Sequence, residues 1–196
     1  MLNYGAAAQQ FFGHNEANLA NAAMTAAQQQ LPEPYRQDMV SAVSSVSALK
    51  QGSFASNSGF SKRYPAISFE GAFCINYFFT PQYAPVNGIT LYYWSAADYG
   101  RASILNTANA TGTLKLSGSG VGEYRGDITG IAAKSLSDAV YVAATYQDSS
   151  GTVRTSGVLG YSIGAYCASQ ATKGGDIAAL AMATAVYGYH AKQYFG

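Results

Sequence analysis

The sequence predicts a mainly β protein (α+β), an antiparallel two-layer sandwich with a helical extension at each end. Three observations predict it. Between residues 46 and 162, short segments rich in Val, Ile, Thr and aromatics alternate with Gly, Asn, Pro, Asp and Ser, with no helical stretch between them. Near both termini the apolar residues recur every three or four positions instead of every two. Finally, the chain opens and closes on nearly the same string. "NYGAAAQQFFG" and "VYGYHAKQYFG" match at Tyr4/Tyr187, Gly5/Gly188, Ala8/Ala191, Gln10/Gln193, Phe12/Phe195 and Gly13/Gly196, at a constant offset and without gaps.

Taken in order, residues 1–13 form a helix in which Leu2, Tyr4, Gly5, Ala8, Phe11 and Phe12 are helically spaced and Gly13 supplies the stop. It is equivalent to the end of a preceding unit. Residues 14–45 are polar, Ala-rich and broken by Pro32 and Pro34; they read as a linker with a short helix near Tyr35–Val43. From 46 to 162 the period is two. The segments "YPAISFEG", "AFCINYFFT", "GITLYYWS", "TGTLKLSG", "GEYRGDITG", "AVYVAATYQD" and "TVRTSGVLGYS" read as strands, with "QDSSGTV" a hairpin loop and "SGSGVG" a tight connection. Residues 163–196 form a helical extension. "IGAYCASQA" is a short helix, "KGG" breaks it, and Asp176 N-caps a last helix over 177–195. On that helix Ile177, Leu180, Thr184, Tyr187, Ala191 and Tyr194 make one stripe. Two terminal helices with the same contact residues suit one another, so Tyr4, Ala8 and Phe12 are expected to dock with Tyr187, Ala191 and Phe195 or with their equivalents in a neighbouring unit. The repeat implies a chain cut from an array of similar units.

"LNYGAAAQQFFG", "NLANA", "LYYWSAADYG", "NATGT", "GIAAKSLSDAVYVAATYQDSSGTVRTSGVLGYSIGAYC" and "AMATAVYGYHAKQYF" resemble a helix-flanked module of large secreted or wall-attached proteins of anaerobic Gram-positive bacteria. The stretch from Gly130 to Cys167 is the most specific part, and residues 30–64 follow the pattern least. The resemblance implies an immunoglobulin-like sandwich, an extracellular or cell-surface location within a longer exported protein, and a non-catalytic role as spacer, adhesion or presentation module. Its partners would be neighbouring domains of the same polypeptide, and beyond them a glycan or a host or surface protein. It implies no catalytic residues and no cofactor.

Charged residues make up 11% of the chain, with 11 Lys+Arg against 10 Asp+Glu, so there is no basic block for nucleic acid or anionic lipid. No apolar run approaches the ~18–20 residues of a membrane span. The start lacks the basic and apolar regions of a signal peptide.

The sharpest chemical motif is Gly160-Tyr161-Ser162-Ile163-Gly164, a G-x-S-x-G between a strand and a helix, followed by Asp176 and His190 in hydrolase order. The competing reading is a strand-to-helix turn in which Ser162 caps the helix. It is preferred because the three residues fall within 29 positions, without an intervening sheet or an upstream oxyanion loop. A serine hydrolase is therefore a remote alternative. The two histidines, His14 and His190, do not suggest a metal centre. Among the scattered acids Asp98, Glu123, Asp127, Asp138 and Asp148, only Asp127 and Asp138 are candidates to share a calcium ion across a sandwich edge, and no metal is assigned. Asn109-Ala110-Thr111 is a sequon of no consequence in a bacterial protein. Cys74 and Cys167 are either a disulfide across a long loop, worth roughly 4–5 kcal/mol, or two buried thiols. Tyr92, Trp94 and Tyr99 are the ligand-binding candidates. With Leu91 and Tyr93 facing inward, Tyr92 and Trp94 face outward, where aromatics stack on sugars. A carbohydrate-binding accessory module is accordingly the alternative function, against a reading in which Trp94 is core.

Overall fold

The computed structural model describes residues 31–41, 46–69 and 71–196. The chain divides into two compact units. One is built of sheets, from Ser44–Gly130 and Ala139–Tyr161; the other is helical, from Met1–Val43, Ile131–Asp138 and Ser162–Gly196.

The sheet unit holds eight strands: β1 Phe60–Ser68, β2 Cys74–Pro81, β3 Thr90–Trp94, β4 Gly112–Lys115, β5 Tyr124–Ile128, β6 Val140–Gln147, β7 Val153–Thr155 and β8 Leu159–Tyr161. They form two antiparallel sheets. One runs β1-β2-β5; in the other β3 lies between β4 and β6, with β7 and β8 both along β6. The predicted last strand is split. Ser156 between β7 and β8 accepts the Ala144 N–H on its Oγ at 2.9 Å, and its own N–H donates to the Ala144 carbonyl at 3.0 Å. Ile75, Tyr77 and Phe79 of β2, Leu91 of β3, and Val142 and Ala144 of β6 are all fully buried. The Tyr77 hydroxyl donates to the Val140 carbonyl at 2.9 Å, and the Tyr146 hydroxyl to that of Gly59 at 2.6 Å, so these two large rings carry no unpaired buried oxygen. Gly126 of β5 leaves room for the side chains of Leu116 and Leu91. A methyl group there would lie 2.3 Å from Leu116 Cδ2 and 3.4 Å from Leu91 Cδ2.

The expectation of a mainly β chain is corrected. Five α-helices stand beside these strands among the described residues: α1 Glu33–Ser41, α2 Ala48–Gln51, α3 Ala96–Arg101, α4 Ile163–Gln170 and α5 Gly175–Phe195. The protein is a mixed helix-and-sheet protein with two antiparallel sheets. α2 and α3 were not predicted because one or two turns give no periodic signal; each is marked only by a capping serine, Ser47 or Ser95.

The helical unit draws three separate stretches of chain together. α1 matches the short helix predicted near Tyr35–Val43. α5 begins two residues earlier than expected: Gly174 is the N-cap, and Asp176 sits in the first turn, where its charge suits the helix dipole. Its packing face also differs. Ala178, Leu180, Ala181, Thr184, Ala185, Val186, Gly188 and Ala191 are buried, whereas Tyr194 and Phe195 are 82% and 62% exposed. Of the predicted docking residues, Ala191 is therefore buried, Tyr187 is half-buried and Phe195 is exposed. Tyr4, Ala8 and Phe12 lie outside the described residues. A methyl group at Gly188 would sit 3.0 Å from both Leu136 Cδ1 and the Tyr35 hydroxyl, which is why a small residue stands there. Residues 131–138, assigned to the sandwich from sequence, are clamped within this unit. Leu136 accepts from the Gly164 N–H at 2.6 Å, Asp138 pairs with Lys192 at 3.5 Å, and Lys134 donates to the Phe195 carbonyl at 2.8 Å.

Candidate functional site

Three places carry side chains or space that chemistry could use. The first is the outer face of the β4-β3-β6 sheet. Strand alternation does send Tyr92 and Trp94 to this face, opposite to Leu91. The face is not open, however. The segment from Val46 to Asn57 crosses it and drives Phe54 between the two, with ring centroids 5.2 Å from Tyr92 and 5.1 Å from Trp94. The segment is tied down along its length. The Leu105 N–H donates to the Lys50 carbonyl at 2.9 Å, the Val158 N–H to Gln51 Oε1 at 3.2 Å, and Asn57 exchanges side-chain bonds with Val153 and Thr155 at 2.8 Å each. Trp94 is fully buried, and its indole N–H donates to Asn109 Oδ1 at 2.9 Å. Tyr99 stacks on Tyr141 at 3.5 Å, with Lys50 Nζ 3.9 Å above it. The expected outward platform of Tyr92, Trp94 and Tyr99 is thus corrected: it is the floor of a third layer.

Beside this layer lies an open polar dent of about 540 Å³, lined by Asp98, Arg101, Ile104, Asn106 and Asn109 among others. Its carboxylate is already engaged. Asp98 accepts from the hydroxyls of Thr111 and Ser95 and pairs with Arg101, and these bonds, that of Thr111 foremost, hold its pKa below the usual carboxylate value. Asn109 of the sequon closes its own 3₁₀ turn through a capping box with Asn106.

The second place is the Ser162 turn. Ser162 is fully buried, and its Oγ accepts the Ala165 N–H at 3.0 Å as the N-cap of α4. Of the other two members of the expected triad, Asp176 lies in the first turn of α5 and His190 is exposed near its end, its ring 5.2 Å from that of Tyr189. A nucleophile must reach solvent and a base; this serine is turned into the protein and committed to a backbone donor. The acids disperse as well. Asp127 accepts from Arg125 at 2.7 Å and Asn76 at 2.9 Å in the sheet unit, while Asp138 pairs with Lys192 in the helical one. Among the described residues no cluster of three potential His, Cys or acidic ligands occurs. Asp148, 4% exposed, receives Ser150, Thr152 and Arg154; the Ser150 hydroxyl and then Arg154 lower its pKa to about 2.

The third place is an apolar groove of about 480 Å³ in the helical unit, between α1, α4 and α5. No feature of the sequence had marked it. Cys167 forms part of its wall. Cys74 and Cys167 are both free and buried and belong to different units, so the disulfide alternative gives way to two thiols. Burial pushes the Cys167 thiol up to about 12 and that of Cys74 upward, which leaves neither a ready nucleophile.

No helix among the described residues is long and apolar enough to cross a membrane. No protein-family model, curated protein or solved structure matches the chain.

Proposed function

We propose that the chain is a non-catalytic extracellular module, a spacer or presentation unit of a bacterial cell-surface or secreted multidomain protein, built on an immunoglobulin-like sandwich. The observation that carries this reading is the strand order. β1, β2 and β5 take the places of the A, B and E strands. β4, β3 and β6 take those of C′, C and F, and the split pair β7 and β8 runs along β6 as G does. The chain crosses between sheets after β2, after β4 and after β5, which is the Greek-key path of that fold.

The condition of the polar groups supports it further. The side chains that the sequence marks for chemistry are occupied in holding structure: Ser162 caps a helix, Trp94 packs under Phe54, and Asp98 and Asp148 tie loops. A chain with 11% charged residues, rich in neutral polar ones, fits a module that must present itself to solvent rather than bind a polyanion.

The test is to treat intact cells of the source strain with an amine-reactive biotin reagent that does not enter cells, and to probe the full-length protein by antibody against this module. The expected result is a labelled protein released by wall-degrading enzyme. Recovery of label only after lysis would overturn the proposal.

A further inference from the structure

Four of the five asparagines among the described residues are held by their side chains, and one is not. Asn57 donates to the Val153 carbonyl and accepts from the Thr155 N–H, both at 2.8 Å. Asn76 is buried in β2 and donates to Asp127 at 2.9 Å. Asn106 accepts from the N–H groups of Ala108 and Asn109. Asn109 accepts from the Trp94 indole and donates to the Ile104 carbonyl. Asn87, in the loop from β2 to β3, is exposed, and its amide makes no hydrogen bond among the described residues.

Asn87 also opens the only Asn-Gly pair in the sequence. Gly88 has a φ of +71°, and a methyl group built on it would meet nothing within 4 Å. Its N–H donates to no backbone carbonyl among the described residues. The nitrogen that follows the free amide is thus itself free, and it belongs to the residue that turns with least hindrance. We propose that Asn87 is a site of spontaneous covalent modification, in which Gly88 closes a succinimide that water opens to isoaspartate or aspartate.

In the first step the Gly88 nitrogen gives up its proton and bonds to Cγ of Asn87. The Cγ–Nδ2 bond breaks, and the amide leaves as ammonia with that proton. In the second step water adds to one of the two ring carbonyls. Addition at Cγ breaks its new bond to nitrogen and leaves aspartate. Addition at the main-chain carbonyl breaks the original peptide bond, so that the chain runs on through Cγ as isoaspartate. Either way the Gly88 nitrogen regains a proton from the water and a carboxylate remains. No enzyme, metal or oxidant is needed.

The flanks of the loop give the change a consequence. The Val86 N–H donates to the Gln147 carbonyl at 2.9 Å, and the Leu116 N–H donates to that of Ile89, which is fully buried, at 3.0 Å. Isoaspartate inserts one extra main-chain carbon between these two fixed points, immediately before β3. The modification acts as a clock that loosens the entry to β3. It holds whether or not the chain is a surface module.

The test incubates the full chain at mildly alkaline pH and reads its peptides by mass spectrometry, with fragmentation that tells isoaspartate from aspartate. A gain of one dalton is expected at position 87, roughly tenfold or more faster than at any other described asparagine, with isoaspartate among the products. Equal rates at 87 and at Asn57 or Asn106 would overturn the proposal. The same chain in urea separates fold from sequence. Asn57 is expected to react much faster once unfolded, whereas the rate at 87 should change less than about threefold. Folding that slows position 87 by roughly tenfold would overturn the proposal, because the fold would then be holding that side chain. Asn87→Gln, on an exposed loop, is expected to fold and to abolish the gain; a gain that persists in that peptide would overturn it too. Finally, the isoaspartate form, separated by ion exchange, should unfold at lower urea than wild type or Asn87→Asp. Equal midpoints would overturn the loosening of β3.

Discussion

In the sheet unit the core is filled by the largest side chains. Tyr77, Phe79 and Trp94 are fully buried, Phe54 is wedged against Trp94, and the buried polar tips of Tyr77 and Trp94 each find a partner. In the helical unit the face of α5 is packed through residues with little or no side chain. Gly188 receives Leu136 and the Tyr35 hydroxyl at 3.0 Å, and Ala178, Ala181, Ala185 and Ala191 make up much of the rest of the buried face of α5. The sheet unit gains by removing large apolar areas from water. The helical unit gains by letting side chains approach the α5 backbone closely. The large rings of one are therefore most sensitive to a group taken away, and the α5 face of the other to a group added.

The largest expected effect follows from the first half of that contrast. Trp94→Ala removes a fully buried ring and leaves Phe54 without its edge-to-face partner and Asn109 without its donor; a loss of about 3–5 kcal/mol is expected in urea unfolding followed by circular dichroism. A loss under about 1 kcal/mol would mean that the Val46–Asn57 segment does not cover the sheet in solution. The second half of the contrast predicts that Gly188→Leu costs about 1–3 kcal/mol, although leucine is the better helix former. A stabilised Gly188→Leu protein would show that the α5 seat has room, and the distinction between the units would collapse.

The strands were legible because a face buried on one side imposes a period of two that survives in sequence, as in Cys74–Pro81 and Val140–Gln147. The same alternation placed Tyr92 and Trp94 on the outward face. It did not show that Phe54, about 40 residues away in sequence, covers that face, because alternation reports which side a residue takes and not what lies against it. Residues 131–138 joined the helical unit for a similar reason. Their ties to Gly164 and Lys192 are long-range and leave no local pattern. The α5 stripe was misjudged at its end because Tyr194 and Phe195 are apolar in composition yet lie beyond the last packed turn. The groove was invisible, since it is a space among residues from three separated helices. Ser162 was the reverse case: the G-x-S-x-G string is equally good for a nucleophile and for a cap, and only burial of its Oγ under the Ala165 N–H separates them.

That separation can be sharpened by Ser162→Ala. Losing an N-cap bond is expected to cost about 1 kcal/mol, read as a lowered urea midpoint. The wild-type protein is expected to give no adduct with a fluorophosphonate. A labelled Ser162 would show that the helical unit opens to expose a working nucleophile, and would place chemistry where packing is assigned.

The last effect is expected at the β6–β7 hairpin, where pH sets its size. Asp148 accepts from Ser150, Thr152 and Arg154, which lowers its pKa from 3.8 to about 2 in the folded protein. A carboxylate that binds its proton less readily when folded adds stability above its unfolded pKa and loses it as pH falls through the folded one. The stability difference between wild type and Asp148→Asn should therefore be constant from neutral pH down to about 5, then shrink as pH falls through 3.8 towards about 2. It should be insensitive to pH at higher values, since Arg154 stays protonated throughout and its own pKa is raised by the same carboxylate. Urea midpoints of the two proteins at a series of pH values read this directly. A difference that stays flat through that acid range would mean that the loop is held by its serine and threonine backbone turns alone, with the Asp148 charge contributing nothing.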